Sequence, residues 1–195
     1  MRLGEISRST KETSVTLSLD LDGTGSSDIA TGCGFLDHML TLFAGHGRFD
    51  LAVKCKGDYH VDFHHTVEDV GICLGLGFAK ALGEKRGITR YGSMILPMDE
   101  ALILTAVDFS GRVYLGWEMD IPAQKVGNFD TELAQEFWLG FVRNALCSLH
   151  FRQFAGTNAH HIIEGAFKSA ARSIAQAVRI NPEYASEIPS TKGTI

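Results

Sequence analysis

The 195-residue sequence has no run of about 18 apolar residues, so no segment is expected to span a bilayer. Its opening residues, MRLGEISRSTKET, contain no apolar stretch of the kind a secretory leader needs, so a leader is not expected either. Charge of one sign is scarce. Eighteen Lys and Arg stand against 23 Asp and Glu, a formal balance of −5, which argues against a general nucleic-acid binder. Cysteine is sparse too: Cys33, Cys55, Cys73 and Cys147 form no Cys-x-x-Cys pair and read as free thiols of a cytoplasmic protein. Only four prolines occur, and no Pro/Gly-rich linker or low-complexity segment divides the chain. What is present is a 45% hydrophobic content, enough for the core of one compact domain or two small halves, together with 21 glycines and eight histidines.

Apolar periodicity gives the element order. Val15, Leu17, Leu19 and Leu21 alternate with polar residues and predict a strand, while Asp22–Asp28 reads as a loop. Leu36, Met39, Leu40 and Phe43 are spaced for a helix ending near Gly45–Gly47, and Phe49–Cys55 alternates again. A helix is predicted from about His64 to Lys85. Its Gly71, Gly75 and Gly77 each weaken it by about 1 kcal/mol relative to Ala, which suggests that another backbone packs closely there. Strands follow at about Ile88–Leu96, Ala101–Phe109 and Val113–Met119, with Ser110-Gly111 predicted as a hairpin turn. A helix over about Glu132–Leu149, a short strand over His150–Phe154 and a helix over His160–Arg179 complete the pattern, and the helix stops at Asn181-Pro182. The order strands, helix, strand, helix therefore occurs twice.

The repeat carries chemistry. His64-His65-Thr66-Val67-Glu68 and His160-His161-Ile162-Ile163-Glu164 are both His-His-x-x-Glu at a helix start, 96 residues apart. His38 lies 26 residues before the first copy and Glu136 lies 24 before the second, so the two are expected at equivalent places. Each half then offers four possible metal ligands. Adjacent residues on a helix diverge by about 100°, so the paired histidines suit two different ions, whereas the second His and the Glu share a face. The economical partition gives one ion His38, His65, Glu68 and His160, and the other Glu136, His161, Glu164 and His64. Four ligands leave open positions on a six-coordinate ion, as catalysis requires. Imidazole and carboxylate without thiolate favour Mn, Fe, Co or Zn over a structural zinc, and the carboxylates lean towards Mn.

The stretches TGCGFLDHML (31–40), GDYHVDFHHTVEDV (57–70), PMDE (97–100), NAHHIIEGAFK (158–168) and PSTKG (189–193) together resemble the imidazoleglycerol-phosphate dehydratase family, over nearly the whole chain. Two positions depart from the family pattern. Phe63 stands where members often have Asp, and Glu136 where many have His, which exchanges a nitrogen donor for oxygen.

The resemblance implies an α+β fold of the α/β sandwich type, built as an internal duplication of two half-domains, each a mixed β-sheet packed on two helices. The dehydratase domain is expected to span 1–195, with repeats at about 1–90 and 91–195. It also implies two Mn²⁺ ions per active site, other divalent transition metals remaining possible, and a homo-oligomer of 24 subunits with sites between subunits. No nucleic-acid or membrane partner is expected. The reaction implied is dehydration of D-erythro-imidazole glycerol phosphate to imidazole acetol phosphate in histidine biosynthesis. It runs through a metal-bound imidazolate and a diazafulvene-like intermediate, because the proton lost sits on a carbinol carbon with no neighbouring carbonyl. By the same resemblance Glu12 is the proton shuttle facing the substrate. Arg90, Arg112, Lys168, Ser190 and Lys192 match the phosphate pocket, and the polar tail is expected to close over the site. Asp37, Asp62, Asp69, Asp99 and Glu100 are read as structural, with some of them expected to orient ligand histidines, although the sequence does not say which.

Overall fold

A computed structural model describes residues 2–195. The first half runs β1 (Leu3–Ser9), β2 (Thr13–Asp20), β3 (Ser27–Ala30), α1 (Gly34–Gly47), β4 (Asp50–Gly57) and α2 (His64–Leu82). The second runs β5 (Tyr91–Met98), β6 (Ala101–Asp108), β7 (Tyr114–Glu118), a small hairpin of β8 (Lys125–Val126) and β9 (Phe129–Asp130), α3 (Leu133–Ala145), β10 (Ser148–Ala155) and α4 (Ala159–Val178). One 3-10 turn, Pro182–Tyr184, precedes the tail.

The two four-stranded sheets repeat each other strand for strand, the β8–β9 hairpin being an addition to the second half. One sheet has the order β1-β2-β4-β3 and the other β5-β6-β10-β7. In each, the first three neighbours are antiparallel and the last pair is parallel. Alternation sets the faces: Val15, Leu17 and Leu19 of β2 are buried while Ser14, Thr16 and Ser18 are exposed. The helices lie between the sheets. α2 packs on β1 and β2, α4 on β5 and β6, and across the halves α2 meets α3 and α1 meets α4.

The two halves therefore share one core. Trp138 of α3 sits 6.1 Å from Phe43 of α1, 4.9 Å from Phe167 of α4 and 5.2 Å from Phe151 of β10, measured between ring centroids. Phe78 of α2 meets Phe141 of α3 edge-on at 5.4 Å. Each such ring, fully buried, contributes on the order of 3 kcal/mol of hydrophobic stabilisation.

Gly71 and Gly75 of α2 do what their spacing suggested, whereas a Cβ on Gly77 would meet the Leu17 side chain. A Cβ on Gly71 or Gly75 would run into the backbone of Phe137 or Phe141 of α3, and one on Gly140 of α3 would lie 2.9 Å from the Glu68 carbonyl oxygen of α2. The two helices touch backbone to backbone.

Three expectations are corrected. Ser110-Gly111 is not a hairpin turn: β10 lies between β6 and β7, so the segment begins a crossover. The tight hairpin is β5–β6, where Met98 faces Ala101 and Asp99 takes φ 49° at the tip. The predicted helix does not run on to Leu149, because Leu146 in the left-handed region ends α3 and Leu149 is buried on β10 instead. The predicted loop over Asp22–Asp28 gives way to β3 at Ser27, an edge strand bonded on one side only, which needs little apolar sequence.

Two polar anchors, one buried and one half-buried, hold the loops. The Asp69 carboxylate of α2, 6% exposed, pairs with Arg8 Nη1 at 2.6 Å and accepts the Thr13 hydroxyl, pinning the β1–β2 hairpin to the helix. Asp37 accepts both the N–H (2.9 Å) and the hydroxyl (2.5 Å) of Thr31, fixing the entry to α1.

Candidate active site

Both His-His-x-x-Glu copies open a helix, α2 at His64 and α4 just after the cap at Asn158. The Asn158 side-chain oxygen accepts the N–H groups of His160 (2.9 Å) and His161 (3.3 Å), which orients the first turn of α4. His38 enters from α1, the helix packed against α4.

Among the described residues, one group of three donors converges: His38, His160 and Glu164 offer atoms all within 4.8 Å of one another. His160 Nε2 lies 3.0 Å and His38 Nε2 3.3 Å from Glu164 Oε2. The other Glu164 oxygen meets Lys168 Nζ at 2.5 Å. Burial pushes the Glu164 carboxyl up, but the bonds from Lys168 and His160 outweigh it and hold it below its ordinary value. A buried carboxylate faced by two imidazole nitrogens, with no thiolate in the group, fits a divalent transition ion.

This grouping differs from the partition drawn from helix geometry, which placed Glu164 with His161. Spacings of three and four residues both share a helix face, and here the first histidine and the Glu, four apart, meet. The same relation recurs in the other half, where His64 Nε2 is 3.9 Å from Glu68 Oε2. Glu136 is half-buried on α3, beside the Phe137 and Gly140 backbones that press on α2. That is the counterpart of the His38 position, but its carboxylate joins no three-donor group in the chain as described.

The second histidines turn to other partners. His65 Nδ1 bonds Asp58 Oδ2 at 2.9 Å and its Nε2 faces Glu12 Oε1 at 3.8 Å. His161 Nδ1 bonds Glu100 Oε2 at 2.7 Å and its Nε2 faces Asp99 Oδ2 at 3.6 Å. The carboxylates of Asp58 and Glu100 raise the affinity of their histidines for protons. Bonds from His161 and from the Asn158 and Thr157 N–H groups hold Glu100 down to about 2. Glu12 itself is exposed at the β1–β2 tip, its N–H bonded to the Thr10 hydroxyl at 3.1 Å.

The phosphate candidates gather elsewhere. Arg90 grips Asp108 through Nε at 2.7 Å and Nη2 at 3.2 Å, and its Nη1 reaches the Pro189 carbonyl at 3.0 Å. Arg112 Nη2 lies 4.0 Å from the same carboxylate, and the Ser190 hydroxyl beside Pro189 accepts the Lys192 N–H at 3.2 Å. Lys168 does not join them, being committed to Glu164 and to Met98 Sδ at 3.6 Å. The register shows the separation. Tyr91 opposite Asp108 marks one end of the β5–β6 ladder and Met98 opposite Ala101 the other, a span of roughly 23 Å at strand rise.

Sequence comparison decides the family. The family model for imidazoleglycerol-phosphate dehydratase matches residues 31–174. The chain belongs to that family. Imidazoleglycerol-phosphate dehydratase of Azorhizobium caulinodans is 56% identical over 195 residues, covering 100% of this chain and 99% of the relative. That of Gluconacetobacter diazotrophicus is 54% identical over 194 residues, covering 100% and 98%. The crystal structure of the dehydratase from Staphylococcus aureus superposes with a TM-score of 0.84 at 38% identity, covering 92% of this chain and 99% of that one. The one from Pyrococcus furiosus gives 0.82 at 35%, covering 97% and 100%. As a dehydratase of histidine biosynthesis the chain is a hydro-lyase. No helix among the described residues is long and apolar enough to cross a membrane.

Within this dehydratase fold, Asp58 escaped the sequence reading, and of the five acids read as structural the sequence could not single out Glu100 as the partner of a histidine. Asp58 lies seven residues before its histidine and Glu100 sixty-one before its own, so no helical or strand period links them. The available signal was only that both stand in stretches shared with the family.

Proposed function

We propose that the chain converts D-erythro-imidazole glycerol phosphate to imidazole acetol phosphate and water, at sites that each hold two Mn²⁺ ions and form between copies of the chain. The observation that carries the reading is the convergence of His38, His160 and Glu164 on one point. His64 and Glu68, with Glu136, would supply the second ion, and His65 and His161 the remaining nitrogen donors. When bound, such ions supply Lewis-acid polarisation of the substrate's imidazole and a template for it.

The chain's own groups do the rest. Glu12, on a tip held by Thr10 and by the Asp69–Arg8–Thr13 anchor, takes the proton from the carbinol carbon and returns one to the departing hydroxyl. Arg90 and Arg112 hold the phosphate with Ser190 and Lys192, and the polar tail folds over it. A separation of roughly 23 Å within one chain is too long for a glycerol phosphate to bridge, which supports sites completed by a second copy. The count of 24 subunits rests on the family resemblance. A cytoplasmic setting accords with four unpaired thiols.

The test is turnover of imidazole glycerol phosphate by metal-stripped protein re-supplied with Mn²⁺, with zinc and no metal as controls. Mn²⁺-dependent imidazole acetol phosphate is expected, and Glu12→Gln should lower kcat by about 10²–10⁴-fold with metal content unchanged. Failure of assembled protein to turn over with any metal would refute the reading.

A further inference from the structure

We propose that Asp58 and Glu100 are positioning residues that fix His65 and His161 in the tautomer protonated at Nδ1, leaving each Nε2 bare as a donor. The inference rests on the two-metal reading above for its purpose, although the tautomers can be measured without metal.

A neutral imidazole carries one N–H and one lone pair, and a carboxylate only accepts. The nitrogen that faces a carboxylate at hydrogen-bond distance therefore carries the proton. Asp58 Oδ2 lies 2.9 Å from His65 Nδ1, and Glu100 Oε2 lies 2.7 Å from His161 Nδ1. Such partners orient a ligand ring and raise its basicity.

The two halves reach this arrangement with non-equivalent residues. Asp58 comes from the loop after β4, whereas Glu100 comes from the β5–β6 tip. Glu100 is also the more tightly committed. Its Oε1 accepts the N–H of Thr157 (3.1 Å) and of Asn158 (2.8 Å), so only Oε2 is free for His161. Asp58 Oδ1, by contrast, is buried with no hydrogen-bond partner among the described residues.

That difference makes the proposal sharp. In Glu100→Gln the single carbonyl keeps the two backbone N–H groups and the NH₂ turns to His161 Nδ1. The nitrogen must then accept, and the proton moves to Nε2, the atom needed for the ion. In Asp58→Asn the carbonyl can stay on His65 Nδ1–H, since the Oδ1 position given up to the NH₂ holds no hydrogen bond to lose, and the unpaired NH₂ costs stability without moving the proton. The two amide variants should therefore behave differently.

The experiment is equilibrium titration of metal-stripped protein with Mn²⁺, with melting temperatures of the metal-free forms and ¹⁵N shifts of His161 at mildly alkaline pH. Glu100→Gln should lower the affinity for one of the two ions about 10–100-fold while the metal-free chain still melts in one cooperative transition, at a somewhat lower temperature than the parent. Its His161 proton should appear on Nε2 instead of Nδ1. Asp58→Asn should bind both ions nearly as the parent does, whereas Asp58→Ala should not. If Glu100 merely ties the hairpin to α4, Glu100→Gln keeps both backbone bonds and binds Mn²⁺ unchanged while Glu100→Ala does not; that ordering would overturn the proposal. Failure of the parent protein to bind Mn²⁺ would overturn the two-metal reading, and the His161 tautomer would then still decide this inference.

Discussion

Replacing Gly71 by Ala tests the backbone contact between α2 and α3. An added Cβ would sit more than 1 Å inside the ordinary 3.4 Å limit from the Phe137 carbonyl oxygen, and its obstacle is helix backbone. No rotamer change relieves the clash, so α2 and α3 must part. Overpacking of this kind costs about 1–3 kcal/mol, and backbone against backbone belongs at the upper end. Alanine returns about 1 kcal/mol of helix propensity, so a net loss of about 1–2 kcal/mol is expected. Gly75 presses on Phe141 of the same helix pair, so Gly71→Ala with Gly75→Ala should cost less than the two singles added, one retreat serving both. Gly45 of α1 is the control: nothing lies within 4 Å of its would-be Cβ, and Gly45→Ala should stabilise by up to about 1 kcal/mol. Urea unfolding at equal protein concentration measures all four. Gly71→Ala proving as stable as the parent, with Gly45→Ala gaining nothing, would refute the backbone-contact account.

Lys192→Ala should raise KM for the phosphorylated substrate about 10–100-fold, the loss of one charge-assisted bond, with kcat less affected; an unchanged KM would separate the tail from phosphate binding. Glu100 titrates at about 2 in the folded chain against 4.5 without its partners, so it adds stability that is full above about pH 4.5 and lost as pH falls towards 2. Acid unfolding of Glu100→Ala should therefore be flatter in that window, and an identical acid limb would contradict the bonds assigned to it. Burial pushes the Cys147 thiol up to about 12 and those of Cys55 and Cys73 to about 11, so these three should react slowly with a disulfide reagent near neutral pH until the chain is unfolded. Rapid native-state labelling of these thiols would show that the core opens.

Much of the fold was legible because it depends on local periods. α1, α2, α4 and the central strands β2, β4 and β6 fell where apolar spacing put them, since those residues face the shared core. The helix glycines announced a close contact, although not with which helix. Misreadings occurred where pairing is non-local. The polar edge strand β3 resembles a loop, and Ser110-Gly111 resembles a hairpin turn until β10 is known to insert between β6 and β7.

The site divides the same way. The sequence alone determined the residue types of the candidate site, their duplication as His-His-x-x-Glu, and the family to which the chain belongs. It could not say which histidine meets which Glu, because spacings of three and four lie equally on one helix face. Only the packing of α1 on α4 brings His38 to His160 and Glu164, and only the β5–β6 turn brings Glu100 to His161. The distance between the arginine group and the His38–His160–Glu164 group is likewise set by strand length and register, which no single motif encodes. Residue chemistry is written locally, whereas convergence is decided by which elements the fold packs together.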